Sequence, residues 1–170
     1  MEFERAYEIL TQLGCGTTAK HKRCLRLADI FNQYHKKVGG DIESIIDAMH
    51  ADLRCDLDNL SEFTIKAENG EIAFDEMEPK QIMELKIKMN NTIDKCYALR
   101  ERLSYILSDK NYERIGVFPD QVSMIEQICE QHNTIAKKAK KIVTIYLESK
   151  VEKIKMDSNN FLNDKQNHEI

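Results

Sequence analysis

The sequence predicts an all-α protein, an elongated helical bundle or coiled coil of about five helices whose last two helices are long and heptad-patterned. The composition favours long helices, because helix formers are abundant while the 170 residues include only six Gly, two Pro and no Trp. Apolar residues recur at helical spacing between a few breaks. No stretch alternates with period two for more than about four residues, so we expect no sheet.

Three helices are predicted within residues 1–66, separated by glycine-containing breaks. Gly14–Thr18 ends the first helix and offers threonine caps for the second, and Gly39–Asp41 ends the second with Asp41 as N-cap of the third. A further break surrounds Gly70. The apolar stripes of these helices are Phe3, Tyr7, Leu10 and Leu13, then Cys24, Leu27, Phe31, Tyr34 and Val38, then Ile42, Ile46, Met49, Leu53, Leu57 and Leu60.

The fourth helix, predicted over residues 77–108 with Pro79 in its first turn, carries the sharpest pattern. Its apolar positions alternate steps of three and four over roughly 37 Å of helix. These positions are Ile82, Leu85, Met89, Thr92, Cys96, Leu99, Leu103 and Ile106. A straight helix drifts off such spacing because 3.6 residues per turn do not divide seven, so the pattern indicates supercoiled pairing.

The fifth helix is predicted over 119–162, starting at Pro119 and running roughly 60 Å. Its stripe comprises Val122, Ile125, Cys129, His132, Ala136, Ala139, Val143, Leu147, Val151, Ile154 and Ser158, and it is followed by Phe161. The two successive steps of four from Val143 to Leu147 to Val151 predict a stutter, a local unwinding of the supercoil. Residues 163–170 are predicted to be a disordered tail, and the whole chain, 1–170, to be one helical unit. Because the long helix outruns the core expected for this mass, we expect partner helices to cover it.

No constellation in the sequence predicts catalysis, a cofactor or a metal. Cys129 and His132 lie three residues apart and could touch as nucleophile and base, but both occupy stripe positions, which favours packing. Four residues near the start have side chains that can bind zinc, but their spacing contains no C-x2-C pair and does not favour a site: Cys15, His21, Cys24 and His35. The chain is therefore expected not to be an enzyme, although an enzyme using Cys129 and His132 remains an alternative.

Charge and hydropathy predict neither nucleic-acid binding nor membrane insertion. The net charge is -4, and the clusters at 20–26 and 137–141 are interpreted as solvated or partner-facing basic faces. No apolar run approaches the roughly 18 residues of a membrane span, and the start lacks the pattern of a signal peptide. The five scattered cysteines are expected to be reduced thiols in the cytosol or nucleus.

The second half of the chain resembles the smallest shoulder subunit of dynactin, the light-chain family. The resemblance covers about residues 95–162 and consists of a helix with Leu99 and Leu103, a polar link, and Pro119 opening a long helix with His132. Near its end, the element Ser158–Leu162 is similar to the family's Ser-x-x-Phe-apolar element. The chain departs from the family in lacking a C-terminal tryptophan and in its spacings, so it is identified as a divergent member.

The resemblance implies a non-catalytic shoulder subunit that bundles with dynamitin and the large dynactin subunit, with an indirect link to dynein. It also implies a cytoplasmic, cytoskeleton-associated location, at centrosome, spindle or kinetochore, with a role in microtubule transport and mitosis. The partner-helix interface is predicted at Leu85, Met89, Leu99, Leu103, Ile106, Ile125, His132, Val143, Leu147 and Ile154. The alternatives are a coiled-coil scaffold of another cytoskeletal, kinetochore or tethering complex, and a monomeric helical bundle that binds a peptide or small regulatory ligand.

Overall fold

The structure, a computed structural model, describes residues 1–168, and within that range it is all-α without any strand. This confirms that the protein is all-α, as predicted. The helices are α1 (Phe3–Leu13), α2 (Ala19–Val38), α3 (Ile42–Glu68), α4 (Pro79–Leu107), α5 (Asn111–Arg114), α6 (Pro119–Ile142) and α7 (Ser149–His168). A π-helical segment, Val143–Glu148, joins α6 to α7 without a break, and short 3-10 turns cover Phe74–Glu76 and Ser108–Lys110.

The helix starts follow the capping residues that the sequence provides. The Thr18 hydroxyl accepts a hydrogen bond from the His21 backbone N–H at 3.3 Å, and His21 Nδ1 accepts one from the Thr18 N–H at 3.3 Å. This reciprocal pair satisfies two amides that α2 itself leaves free. Asp41 Oδ1 likewise accepts from the Ser44 N–H at 3.1 Å. The predicted caps of α2 and α3 are therefore confirmed.

The ends of α2 and α4 are followed by residues with positive φ. Gly39, which follows α2, has a φ of 68° that costs glycine little because it has no Cβ. After α4 the turn is made by Asp109 and Lys110, with φ values of 52° and 54°. Two consecutive residues in this region stop the right-handed helix, and the chain reaches Pro119 through the short α5.

The chain divides into two compact units, and the first comprises Met1–Asp58 and Lys95–Thr134. Its core is built by one face each of α1, α2, the first part of α3, the last part of α4 and the first part of α6. Polar contacts fix the helices laterally: Gln121 Nε2 donates at 2.9 Å to both the Glu43 carbonyl and Asp47 Oδ1, and Tyr105 Oη lies 3.2 Å from Cys24 Sγ.

The second unit comprises Asn59–Asp94 and Ile135–Ile170, of which the structure describes the residues up to 168. Its core contains Leu60, Phe63, Ile82, Met89, Ile93, Ala136, Ala139, Val143, Leu147 and Val151. The Phe74 ring stacks on Tyr146 with 5.0 Å between centroids, and Lys150 pairs with Asp75. These contacts attach the link between α3 and α4 to the π-helical segment.

The C-terminal residues differ from the sequence prediction. The tail expected to be disordered over 163–170 is instead helical as far as His168, and residues 169 and 170 lie outside the described range. The physical reason is that no Gly or Pro follows Pro119, so nothing interrupts helix propagation. No helix within residues 1–168 combines the length and apolar character needed to cross a membrane.

Candidate partner-binding surface

Most of the residues predicted to face partner helices are buried within the chain itself. Eight of the ten are buried: Met89, Leu99, Leu103, Ile106, Ile125, His132, Val143 and Leu147. Leu85 and Ile154 are half-buried. In this structure a partner could reach most of the eight only if the cores opened, because the chain's own helices cover them; Leu99 also lines a surface groove. The surface available to a partner therefore lies mostly outside the predicted set, although it includes half-buried Ile154.

One stretch of helix lacks cover from the other residues that the structure describes. From residue 152 to residue 168 every side chain except half-buried Ile154 is exposed, over about 25 Å of helix. Phe161 and Leu162 are 61% and 57% exposed, which is unusual for two adjacent large apolar side chains. We call Ile154, Ser158, Phe161 and Leu162 the α7 stripe.

The α7 stripe continues a buried face. Leu147, Val151, Ile154, Ser158 and Phe161 follow one another at steps of four, three, four and three, so they lie along one side of the helix. Leu147 and Val151 are buried in the second unit, whereas Phe161 is not. The apolar spacing in the sequence already led to Ser158 and Phe161, whereas Leu162 was singled out only through the resemblance.

Cys129 and His132 lie in surroundings unsuited to nucleophilic catalysis. Burial raises the pKa of the Cys129 thiol, although nearby Arg100 opposes the shift. Burial, with Arg100 adding repulsion, lowers the pKa of His132 to about 4. The imidazole is fully buried, and within residues 1–168 neither ring nitrogen has a hydrogen-bond partner. Such a pair holds a protonated thiol beside a neutral imidazole, with no hydrogen bond between them to activate the sulfur.

The potential metal ligands and the basic clusters have structural or solvated positions. Within the described residues no cluster of three or more His, Cys, Asp or Glu side chains could hold a metal ion. Cys24 is buried against Tyr105, and His21 caps α2. The lysines at 137, 138, 140 and 141 are all exposed, and Lys140 pairs with Glu148 at 3.7 Å.

Comparisons with protein-family models, with curated proteins and with solved structures each found no match. The resemblance to the dynactin shoulder subunit therefore depends on the residues given for it above. The structural feature that any assignment of function must explain is the uncovered α7 stripe.

Proposed function

We propose that the chain is a non-catalytic structural subunit that assembles by pairing α7 with helices of partner chains. The observation that carries the proposal is the α7 stripe, an apolar face on a helix that extends about five turns beyond its last buried residue, Val151. Most of the stability of a helix in a protein comes from packing of its apolar face, so cover from a partner would stabilise the segment. Burial of the part of Phe161 that is exposed, 61% of the residue, would contribute about 1–2 kcal/mol.

The spacing of the stripe supports pairing in the manner of a coiled coil. Alternating steps of three and four keep the stripe facing a neighbouring helix, and Ser158 is a small polar position within it. Lys165 lies 4.9 Å above the Phe161 ring and could move aside without breaking an ion pair, because none involving Lys165 is present in residues 1–168. The stripe is thus accessible to a partner helix.

The particular assembly that we propose is the dynactin shoulder, with dynamitin and the large dynactin subunit as partners. The support is the resemblance carried by Pro119, His132 and Ser158–Leu162. In this proposal the subunit is cytoplasmic and cytoskeleton-associated, and its link to dynein is indirect. A coiled-coil scaffold of another cytoskeletal, kinetochore or tethering complex would use the same α7 stripe, and partner identity distinguishes the two.

A monomeric bundle that binds a peptide is the second candidate. It is favoured by the burial of eight of the ten predicted interface residues within the chain, since a chain that covers its own core needs no obligate partner. The two candidates differ in what they predict for the full chain in solution. The bundle predicts a lone monomer, whereas the subunit predicts a complex that depends on α7.

The test compares two matched substitutions in α7. Phe161→Glu and Met156→Glu each place one carboxylate at an exposed apolar position, with the original side chains 61% and 66% exposed. The two positions lie about 140° apart around the helix, so only Phe161 belongs to the stripe. Tagged wild-type chain and both variants are recovered gently from native lysate, and co-sedimenting dynamitin and large dynactin subunit are quantified by mass spectrometry.

We expect Phe161→Glu to recover at least tenfold less of each partner than the wild-type chain. Met156→Glu should recover as much as wild type. Equal recovery with both variants would remove α7 from the interface. A wild-type chain that sediments alone would contradict the subunit proposal and favour the peptide-binding bundle. Recovery with partners other than dynactin components would support a different coiled-coil complex.

A further inference from the structure

A groove runs between α2 and α4 in the first unit. The two helices lie antiparallel, because Cys24 near the start of α2 contacts Tyr105 near the end of α4, while Tyr34 lies beside Lys95. The groove has a volume of about 200 Å³ and is lined by Ile30, Tyr34, Lys95, Ala98, Leu99 and Arg102. A second hollow of about 150 Å³ adjoins it at Arg102.

The floor of the groove is apolar. Ile30, Ala98 and Leu99 supply carbon atoms, and the Tyr34 hydroxyl is already committed as donor to Asp52 Oδ2 at 2.7 Å. With that hydroxyl bound, the part of Tyr34 left for the groove is its ring. Sites for drug-sized molecules measure about 300–1,000 Å³. The groove is smaller than that, so it accepts one or two apolar side chains.

The rim of the groove is basic, although the chain as a whole carries a net charge of -4. The charged groups that line the second hollow are supplied by Arg23, Glu101 and Arg102. Arg26 lies one turn before Ile30 on the same face of α2. Within residues 1–168 neither Arg23 nor Arg26 forms an ion pair, whereas Arg102 pairs with Glu101 at 3.3 Å. Lys95 is also paired, with Asp56 at 3.1 Å. Two guanidinium groups therefore remain available for carboxylates from outside.

We propose that this groove docks an acidic amphipathic helix of a partner protein. Apolar side chains of that helix enter the hollow over Ala98, and its flanking carboxylates bind Arg23 and Arg26. The stretch from Arg23 to Tyr34 spans about 16 Å, which matches three turns of a docked helix. The inference rests on the proposed function, because it assigns a second site and a charge to the partner helices.

A second copy of the chain does not fit this occupant. The uncovered apolar helix that a second copy would offer is α7, and it carries four lysines against three carboxylates. Its charge therefore does not complement a basic rim. Nucleic acid is also disfavoured, because the floor of the groove consists mainly of aliphatic carbon rather than stacked aromatic rings.

The test uses the full chain and three probes. The first is a designed helical peptide with leucines along one face and glutamates beside them; the second replaces every glutamate with lysine; the third is single-stranded oligouridine. Binding is measured by fluorescence anisotropy to wild type, to Arg23→Glu/Arg26→Glu, and to the matched control Lys137→Glu/Lys138→Glu, which reverses two exposed cations outside the groove. All four positions are exposed, so both variants are expected to fold, which circular dichroism checks.

We expect the acidic peptide to bind wild type and the Lys137/Lys138 variant at least tenfold more tightly than the basic peptide does. The Arg23/Arg26 variant should invert this preference. Ala98→Trp, which fills the hollow, should weaken the acidic peptide at least fivefold. Equal binding of both peptides, equal loss in the control, or oligouridine binding that depends on the same arginines would overturn the inference.

The outcome also separates this inference from the proposed function. If the wild-type chain is recovered from lysate without a partner and yet binds the acidic peptide as described, the proposed function is wrong. The assignment of the groove as a binding site then still stands. If recovery of partners depends on Phe161 but the affinity for the acidic peptide does not depend on Arg23 and Arg26, the proposed function stands and the groove assignment is wrong.

Discussion

The Tyr97 ring packs edge-on against the imidazole of His132, with 4.7 Å between the ring centroids and 78° between the planes. This contact joins α4 to α6 inside the first unit. The imidazole is fully buried, and neither nitrogen is hydrogen-bonded within residues 1–168. A charged imidazolium at this position would lack both solvent and a carboxylate, and for that reason burial lowers its pKa to about 4.

The first prediction is that stability falls as the pH drops below the ordinary histidine pKa. The unfolded chain protonates His132 around the pKa of 6.5 that is usual for a solvated imidazole, while the folded chain keeps it neutral down to about 4. Between these values the unfolded state binds more protons, so the free energy of unfolding decreases with falling pH by about 3 kcal/mol in total. Below about 4 this contribution no longer changes. Urea melts at intervals from pH 4 to pH 7.5 measure the slope.

The control for this prediction is His132→Leu. The variant removes the titrating group and the two unbonded nitrogens together, so stability near pH 7 should be unchanged or higher. Its loss of stability between pH 7 and pH 4 should be smaller than that of wild type. If wild type and His132→Leu show the same slope, His132 is not the group that titrates.

The second prediction concerns Leu103, which is fully buried in the first unit. Leu103→Ala should reduce the free energy of unfolding by about 2–5 kcal/mol, because the cavity forms within the chain's own core. Leu85→Ala, at a half-buried position of the same helix, should cost clearly less. Melting of the isolated chain measures both. If Leu103→Ala impaired only partner binding and left the isolated chain unaffected, the core assignment would be wrong.

The apolar stripe predicted for α4 agrees with the structure only in part. The spacing predicted the helix, its first turn around Pro79 and most of its buried face, because these depend on local propensity and on helical period. The spacing also placed Thr92 on the buried face, whereas the structure buries Ile93 and leaves Thr92 half-exposed. The buried face drifts relative to a strict heptad, as expected for a helix with 3.6 residues per turn.

The identity of the element that covers each stripe could not be read from the sequence. A row of leucines such as Leu99 and Leu103 has the same spacing whether its neighbour belongs to the same chain or to another. The burial of both residues and the exposure of Phe161 separate the two cases. The groove beside Ala98 was likewise unpredictable, because it depends on how α2 and α4 pack.

The third prediction is an order of thiol reactivity. Cys15 and Cys55 are exposed and should react with iodoacetamide first, while buried Cys24 and Cys96 should react only after unfolding. Cys129 is half-buried and its pKa is raised by burial, so it should react more slowly than Cys55 at pH 8. Mass spectrometry of timed digests measures each rate. If Cys129 were labelled fastest, its thiol would be activated, and the alternative of an enzyme that uses Cys129 and His132 would be favoured.

The predicted stutter coincides with the π-helical segment Val143–Glu148. Val143, Leu147 and Val151 are all buried although they are separated by two steps of four. In a regular α-helix each such step rotates the side chain about 40° away from the face, so two steps would move Val151 well off the core. The wider π turn absorbs this rotation, because it accommodates an extra residue within the helix. The segment therefore restores the register of α7.

The fourth prediction follows from this register. Deleting Ile145, which is exposed within the π-helical segment, leaves steps of three and four from Val143 to Leu147 to Val151. The segment should then close to α-helix, and Tm should change by less than about 3 °C. Deleting exposed Gln127 from the regular part of α6 instead rotates the following buried residues by about 100° and should lower Tm by more than about 10 °C. Melting followed by circular dichroism compares the two deletions, and equal losses would mean that the π-helical segment does not set the register.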